Sequence, residues 1–212
     1  MTRGKFIVFD GGEGSGKSTQ VKLLKKYLDI QGIASLLTKE PGGDDAVCKK
    51  IRELLLDPAY HGKFSHRAEL LLFEADRSQH VDQIIKPALN DGKIVISDRY
   101  ESATFAYQCG GRGVCTPYEF RFLNNFATDC LQPNFYIYID IEPAIGLARK
   151  SQEGVETRFE KEKLEFHQKV RAGFKEFFAM RFKSRWQEFD GNLSVEELHR
   201  QIVDCLKQKQ LI

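Results

Sequence analysis

The chain has 212 residues, of which 42% are hydrophobic and 29% are charged, which is typical of one globular domain and excludes a disordered or fibrous protein. Its 32 Lys and Arg against 30 Asp and Glu give a formal net charge of +2, which disfavours a general nucleic-acid-binding protein. The longest apolar run, residues 135–139, is too short to span a bilayer, and the N-terminus lacks the pattern of a signal peptide.

Short β-rich segments alternate with helical segments along the whole chain, with no repeat or linker. Strands are predicted at residues 5–9, 33–38, 93–97, 134–139 and 187–190. Helices are predicted from Lys17 to a stop at Gly32, over residues 44–56, 65–79, 81–89, 116–129 and 161–183, and from Ser194 onward. This alternation predicts a single α/β domain over residues 1–212, with a parallel sheet covered on both faces and ligands at the carboxyl ends of the strands.

Two features of the predicted helices are specific. Thr116-Pro-Tyr-Glu119 has the pattern of a capping box with proline in the first helical position. The helix over residues 44–56 is predicted to turn its apolar side chains toward the core, namely Val47, Ile51, Leu54 and Leu55.

The five cysteines are an odd number, are widely spaced and include no Cys-x-x-Cys pair; they are Cys48, Cys109, Cys115, Cys130 and Cys205. This pattern predicts reduced thiols in a cytoplasmic protein, without a disulfide framework or a structural zinc site. The five histidines show no spacing typical of metal ligands.

The first predicted strand runs into a glycine-rich segment that fits G-x-x-x-x-G-K-[ST], and a predicted helix follows it. Backbone N–H groups of such a loop surround a phosphate, the lysine reaches the β- and γ-phosphates, and the serine hydroxyl binds Mg²⁺. The motif therefore predicts a site for a nucleoside triphosphate with Mg²⁺. Its residues are Gly11, Gly12, Glu13, Gly14, Ser15, Gly16, Lys17, Ser18 and Thr19.

The rest of the chain favours a nucleotide kinase over other P-loop proteins. No Asn-Lys-x-Asp motif of a GTPase is present, and the chain is short for a motor or a transporter ATPase. Asp98 and Arg99 follow the third strand, where a carboxylate would lie near the Mg²⁺ and an arginine could bind an acceptor phosphate with two parallel hydrogen bonds. Phe73 and Arg77 share one helix face, suited to stacking on a base and donating to its carbonyl.

In these segments the chain resembles the thymidylate kinase family. The resemblance rests on residues 9–19, on Thr38-Lys-Glu-Pro-Gly-Gly43, on Glu69-Leu-Leu-Leu-Phe-Glu-Ala-Asp-Arg-Ser-Gln-His80, on residues 85–89 and on Asp98-Arg-Tyr with Ala106-Tyr-Gln108. It implies the P-loop nucleoside monophosphate kinase fold, with a five-stranded parallel sheet, and a Mg²⁺-dependent transfer of the γ-phosphoryl group of ATP to dTMP. It also implies a cytoplasmic homodimer.

The resemblance also implies roles for single residues around the acceptor. Glu13 would contact the sugar or the magnesium with its waters, Phe73 would stack on thymine, and Arg77 would donate to a thymine carbonyl. Arg99 would bind the acceptor phosphate, and the loop of residues 40–43 with Pro41 would line the site. The remaining acceptor contacts would come from Thr104 to the base, Tyr107 to the sugar at its 2′ position, and Gln108 beside it.

The nucleotide-binding loop contains no arginine, so the resemblance implies that basic residues come from a lid at about residues 149–160. Arg149 and Arg158 match family arginines and would act on the transferring phosphoryl group together with Lys17, Arg99 and Glu13. Ser151 and Glu153 stand where many relatives have further arginines. Two other interpretations stay open: a kinase for a different nucleoside or nucleotide, and a non-catalytic nucleotide-binding switch.

Overall fold

The computed structural model of the protein describes residues 4–152 and 157–212. Five parallel strands form one sheet in the order β2-β3-β1-β4-β5. The strands are β1 Phe6–Gly11, β2 Ser35–Lys39, β3 Ile94–Asp98, β4 Phe135–Asp140 and β5 Trp186–Asp190. The predicted α/β architecture, with its five-stranded parallel sheet and surrounding helices, is confirmed.

Helices form the crossover connections that neighbouring parallel strands require. They are α1 Lys17–Ile30, α2 Ala46–Leu56, α3 His66–His80, α4 Lys86–Asn90, α5 Glu101–Thr104, α6 Pro117–Thr128, α7 Pro143–Ser151, α8 Leu164–Ala179 and α9 Val195–Gln208. A π-helical segment, Val81–Ile85, joins α3 to α4, and a second one, Phe105–Gly111, continues α5. The capping box at the start of α6 is confirmed in both directions, from Thr116 and from Glu119.

Helices cover both faces of the sheet, so its central strands are buried on each side. Successive residues of a strand point to opposite faces and therefore join different apolar clusters. In β1, Phe6 and Val8 belong to one apolar cluster, and Ile7 and Phe9 belong to the other. The first cluster is rich in aromatic rings and includes Phe174, Phe177 and Phe178 of α8; the second is closed by α1 and α9.

One expectation about the elements is wrong. On α2, Val47 and Leu54 are 52% and 38% exposed, whereas Cys48 and Leu55 are buried, so the apolar residues of this helix do not all face the core. Two helical stretches are not anticipated. Residues 101–111 lack a clear 3.6-residue period, and helix α7 includes Arg149 at the start of the predicted lid.

The prediction that all cysteines are reduced is also wrong for one pair. Cys109, near the end of the second π-helical segment, forms a disulfide with Cys115, and their Cα atoms are 5.0 Å apart. A turn with Gly113 at a φ of 64° brings the chain back over this short separation. Cys48, Cys130 and Cys205 are free thiols.

The aromatic cluster under α8 should account for a large share of stability. Phe178 is fully buried and packs against Trp186 with ring centroids 5.0 Å apart. We expect Phe178→Ala to lower the free energy of unfolding by about 3–5 kcal/mol, because both apolar transfer and a residual cavity contribute. Urea unfolding measures this, with Phe182→Ala, at an 81% exposed position, as the control that should change it by less than about 0.5 kcal/mol. Equal effects of the two substitutions would contradict this view of the core.

Candidate active site

A cavity of about 1000 Å³ lies at the carboxyl ends of the strands. It is lined by the loop after β1, the loop after β2, helix α3, the segment after β3 and the end of α7. The predicted site residues that line it are Glu13, Gly14, Ser15, Gly16, Lys17, Ser18, Thr19, Pro41, Phe73, Arg77, Asp98, Arg99, Thr104, Tyr107, Gln108 and Arg149.

The glycine-rich loop turns tightly around the Lys17 ammonium group. Lys17 Nζ donates to the backbone carbonyl of Gly12 at 2.6 Å and to Ser15 Oγ at 3.1 Å. Gly14 has a φ of 64°, and a Cβ there would lie 1.9 Å from the carbonyl oxygen of Gly146 on α7. Only glycine fits so close to that backbone, which explains the residue type at this position of the motif.

The charges around the loop shift one another's protonation. Burial and the nearby Arg99 lower the pKa of Lys17 to about 8, against the opposing effect of Glu13. Burial would raise the pKa of Glu13, but Arg99 and Lys17 more than offset it and lower this pKa to about 2. At neutral pH the loop therefore holds the ionised Glu13 beside a Lys17 that is still mostly protonated.

Ser18 and Asp98 come together at the start of α1. Ser18 Oγ donates to Asp98 Oδ2 at 2.6 Å, so a hydroxyl and a carboxylate from two different loops share one place. Hard oxygen donors of this kind suit Mg²⁺, which usually keeps several waters and takes only one or two protein ligands beside phosphates. In the described parts of the chain, no group of three His, Cys, Asp or Glu side chains is arranged to hold a metal ion.

Arg99 connects the nucleotide-binding loop to the segment after β3. Its backbone is in the left-handed region, with a φ of 75°. Its Nη2 donates to Glu13 Oε1 at 2.8 Å and to the Tyr107 hydroxyl at 3.3 Å, and Tyr107 donates to the same Glu13 oxygen at 2.5 Å. Three predicted site residues thus form one hydrogen-bonded triangle.

Arg77 is 1% exposed and is held by two carboxylates. Its Nε donates to Glu40 at 2.9 Å, its Nη1 to Glu74 at 2.8 Å and to Asn124 at 3.3 Å, and its Nη2 to Thr104 Oγ1 at 2.7 Å. Burial alone would lower the pKa of Arg77, but Glu74 and Glu40 hold it above the usual range. Four of its five N–H groups are used by these bonds, which leaves one at Nη2.

Gln108 lies beside Thr104 in the wall of the cavity and is fully buried. Its Nε2 donates to Glu69 Oε1 at 2.8 Å. Its Oε1 has no hydrogen-bond partner among the residues that the structure describes. A buried acceptor without a partner is rare in folded proteins and calls for an explanation.

The structure separates the two predicted lid arginines. Arg149 reaches the cavity, and its Nη1 donates to the carbonyl oxygen of Gly191 at 2.7 Å. Arg158 is 2% exposed and does not line the cavity; its guanidinium binds Glu69 and the carbonyl oxygen of Leu55. Ser151 ends α7, and Glu153 lies outside the described residues.

Two residues of the site do not follow from the sequence. Arg52 on α2 lines the cavity and binds the carbonyl oxygen of Pro41, but a lone arginine in an amphipathic helix carries no local signal. Asn124 binds Arg77 but lies 47 residues away from it along the chain. Glu40 belongs to the predicted loop of residues 40–43, but its bond to Arg77 was not expected.

The chain has the features of a P-loop nucleotide kinase: a strand, a glycine-rich loop with Lys17 and a helix, a cavity lined by arginines, and five parallel strands in the order β2-β3-β1-β4-β5. The family model described as thymidylate kinase matches residues 9–202. The chain is 46% identical to the thymidylate kinase of Sulfurihydrogenibium sp. over 99% of this chain and all of that protein. It is 44% identical to the thymidylate kinase of Carboxydothermus hydrogenoformans over 97% of this chain and 98% of that protein. The chain belongs to the thymidylate kinase family, and its reaction is the ATP-dependent phosphorylation of dTMP to dTDP for dTTP synthesis.

The lowered pKa of Lys17 makes the binding of ATP depend on pH. Without ATP, Lys17 loses its proton near pH 8. Bound phosphates favour the charged form of the lysine, so above pH 8 the protein must take up a proton when it binds ATP. We expect the Kd for ATP to rise by up to about tenfold per pH unit above pH 8. Calorimetry at pH 8.5 in buffers of different ionisation enthalpy measures the proton uptake.

The control for this experiment is Lys17→Arg, whose guanidinium does not titrate in this range, so the binding that remains should lose its pH dependence. A Kd for the unmodified protein that is constant from pH 7 to pH 9 would contradict the lowered pKa.

Proposed function

We propose that the cavity holds ATP and dTMP end to end, with the donor phosphates on the nucleotide-binding loop and the acceptor between α3 and the segment after β3. The observation that carries this division is the placement of two cationic centres in one cavity, Lys17 in the loop and Arg77 on α3, while Arg99 reaches the loop through its hydrogen bond to Glu13. In this arrangement the catalytic residues are Lys17, Arg99, Arg149 and Glu13.

Phosphoryl transfer asks a protein mainly to position the reactants and to neutralise charge. Lys17 and the loop amides would bind the donor phosphates. Arg99 would bind the acceptor phosphate and hold it in line, and Arg52 lines the same cavity near Pro41 and would add a second cation there. Glu13 would orient Arg99 and Tyr107, to which it is already hydrogen-bonded.

We propose Ser18 and Asp98 as the residues that hold Mg²⁺. Their oxygens meet at 2.6 Å beside the loop, which is the kind of donor set that the ion prefers. When bound, Mg²⁺ would neutralise part of the charge on the donor phosphates.

Arg149 and Arg158 would have different parts in transfer. Arg149 already lines the cavity at its β5 side. A role for Arg158 at the transferring group stays a prediction, and it requires the guanidinium to leave Glu69 and the Leu55 carbonyl. Loss of an arginine that does act on that group costs about 10³–10⁵ in rate in comparable enzymes.

The acceptor base would be recognised by one donor next to one acceptor. Arg77 has one N–H at Nη2 left to give, and Gln108 Oε1 has a free acceptor position. Thymine presents a carbonyl oxygen beside an N–H, which matches this pair, whereas cytosine presents an amine beside a bare nitrogen. Phe73 would stack on the ring, Thr104 would hold Arg77 in place, and Tyr107 would crowd a 2′-hydroxyl.

We also propose that the protein is a homodimer that works in the cytoplasm. Helix α6 exposes Tyr118, Phe122 and Phe126 along one face, at 80%, 68% and 85% exposure. This helix packs against α3, which in turn packs against α2. Exposed apolar residues continue on both helices, with Leu71 on α3 and Val47 on α2. So large an aromatic surface is unusual for a monomer and suits contact with a second copy. No helix in the described residues is long and apolar enough to cross a membrane.

Arg99→Ala tests the acceptor site. We expect kcat/KM for dTMP to fall by roughly 30-fold to several thousand-fold, because a charge-assisted phosphate contact in a closed site contributes about 2–5 kcal/mol, while the Kd for ATP changes little. Arg200→Ala, at an exposed arginine of α9, is the matched control and should leave both values as they are. Equal losses for ATP and dTMP would move Arg99 out of the acceptor site.

Phe122→Glu combined with Phe126→Glu tests the proposed interface. Buried charges opposed across a two-fold contact disfavour association, so we expect the mass measured by light scattering to halve. Phe182→Glu, an equally exposed aromatic position outside the three helices, should leave the mass unchanged. A monomeric unmodified protein, or a double variant that keeps the mass of a dimer, would refute this interface.

A further inference from the structure

Glu69 lies in the first turn of α3, one turn before Phe73 and two turns before Arg77, and it is 1% exposed. It does not line the cavity, and no step of the reaction described above uses it. Yet it accepts hydrogen bonds from three side chains: Gln108 Nε2 at 2.8 Å, Arg112 Nε at 3.2 Å and Arg158 Nη1.

Glu69 is present as a carboxylate. Burial would raise its pKa, but Arg158 and Arg112 more than offset this, so the pKa lies below the usual range. An ionised carboxylate only accepts hydrogen bonds. The Gln108 amide must therefore direct its NH₂ group toward Glu69, because the opposite orientation would place two oxygens in contact.

This orientation determines what Gln108 offers on its other side. With Nε2 held by Glu69, Oε1 points away as the buried acceptor that lacks a partner in the described residues. If the amide were reversed, the same place would present a donor, and the base-reading pair of Arg77 and Gln108 would become two donors. Two donors cannot both bind the O4 and N3–H of thymine.

We propose that Glu69 is a positioning residue for base selectivity: by fixing the Gln108 amide, it makes the pocket accept a hydrogen bond from the N3–H of a thymine or uracil base. This inference rests on the proposed base contacts of Arg77 and Gln108. It assigns the selectivity of the acceptor site in part to a residue that the substrate does not touch.

The test is Glu69→Gln, which keeps the shape of the side chain but has only one accepting oxygen. Its amide cannot satisfy Gln108, Arg112 and Arg158 together, so the Gln108 amide is no longer held in one orientation. We expect the ratio of kcat/KM for dTMP to that for dCMP to fall by about tenfold or more, the effect of an unpaired buried group. The ratio for dTMP to dUMP should not change, because uracil has the same hydrogen-bonding edge as thymine.

Two further variants separate this role from simple support of the fold. Arg112→Met removes another hydrogen bond to the same Glu69 oxygen and leaves Gln108 bound, so it should lower stability without changing the dTMP/dCMP ratio. Gln108→Leu removes the acceptor itself and should lower that ratio as Glu69→Gln does. The double variant should lose no more than Gln108→Leu alone, because both act through one amide.

The outcomes distinguish the positioning role of Glu69 from the base contact of Gln108. If Gln108→Leu lowers the ratio and Glu69→Gln does not, the positioning role is overturned and the base contact stands. If Gln108→Leu leaves the ratio unchanged, the base contact and the role of Glu69 both fall. Should Glu69→Gln not fold, Glu69→Asp keeps the negative charge near the two arginines but draws the carboxylate back by one methylene, out of hydrogen-bond reach of the Gln108 amide; an unchanged ratio in that variant overturns the inference as well.

Discussion

The acceptor side of the cavity depends on one buried cation, the guanidinium of Arg77. A charge in the interior is tolerated only when it is paired and fully hydrogen-bonded, and Glu40, Glu74, Asn124 and Thr104 supply those partners from four separate parts of the chain. These bonds leave the guanidinium a single orientation. The loop after β2, helix α3, helix α5 and helix α6 are therefore tied to one another at the place where the base would lie.

A second connection joins this acceptor side to the nucleotide-binding loop. Glu13 of the loop accepts hydrogen bonds from Arg99 and from Tyr107. A movement of the loop would therefore displace the residues proposed to bind the acceptor phosphate and sugar. Arg158, in the segment proposed as a lid, binds Glu69, which lies next to Gln108 of the proposed base pocket. The family's reaction needs both substrates in line, and this network holds both halves of the cavity in register.

The sequence predicted the features that are local in the chain. The glycine-rich loop, the strand before it, the helix after it and Asp98-Arg99 at the end of β3 all follow from short patterns. The helical conformation of residues 101–111 after β3 could not be predicted from the sequence, because the segment has no helical period and is held by tertiary contacts with α8. The burial of Arg158 and the contacts of Glu69 depend on partners far along the chain. The exposure of Val47 and the contact of Arg52 depend on how α2 packs against its neighbours. The Cys109–Cys115 disulfide spans only six residues, but it depends on the turn at Gly113 and not on the spacing of the cysteines alone. A spacing rule cannot anticipate them.

The proposed selectivity for the acceptor base depends on a donor from Arg77 and an acceptor from Gln108 that line the same cavity. Steady-state release of ADP by the unmodified protein with dTMP, dUMP and dCMP is the decisive measurement. We expect dTMP to be the best acceptor, dUMP to be poorer because it lacks the methyl group, and dCMP to be nearly inert because its edge presents the reversed pattern. Phosphorylation of dCMP with a kcat/KM equal to that of dTMP would contradict the claim.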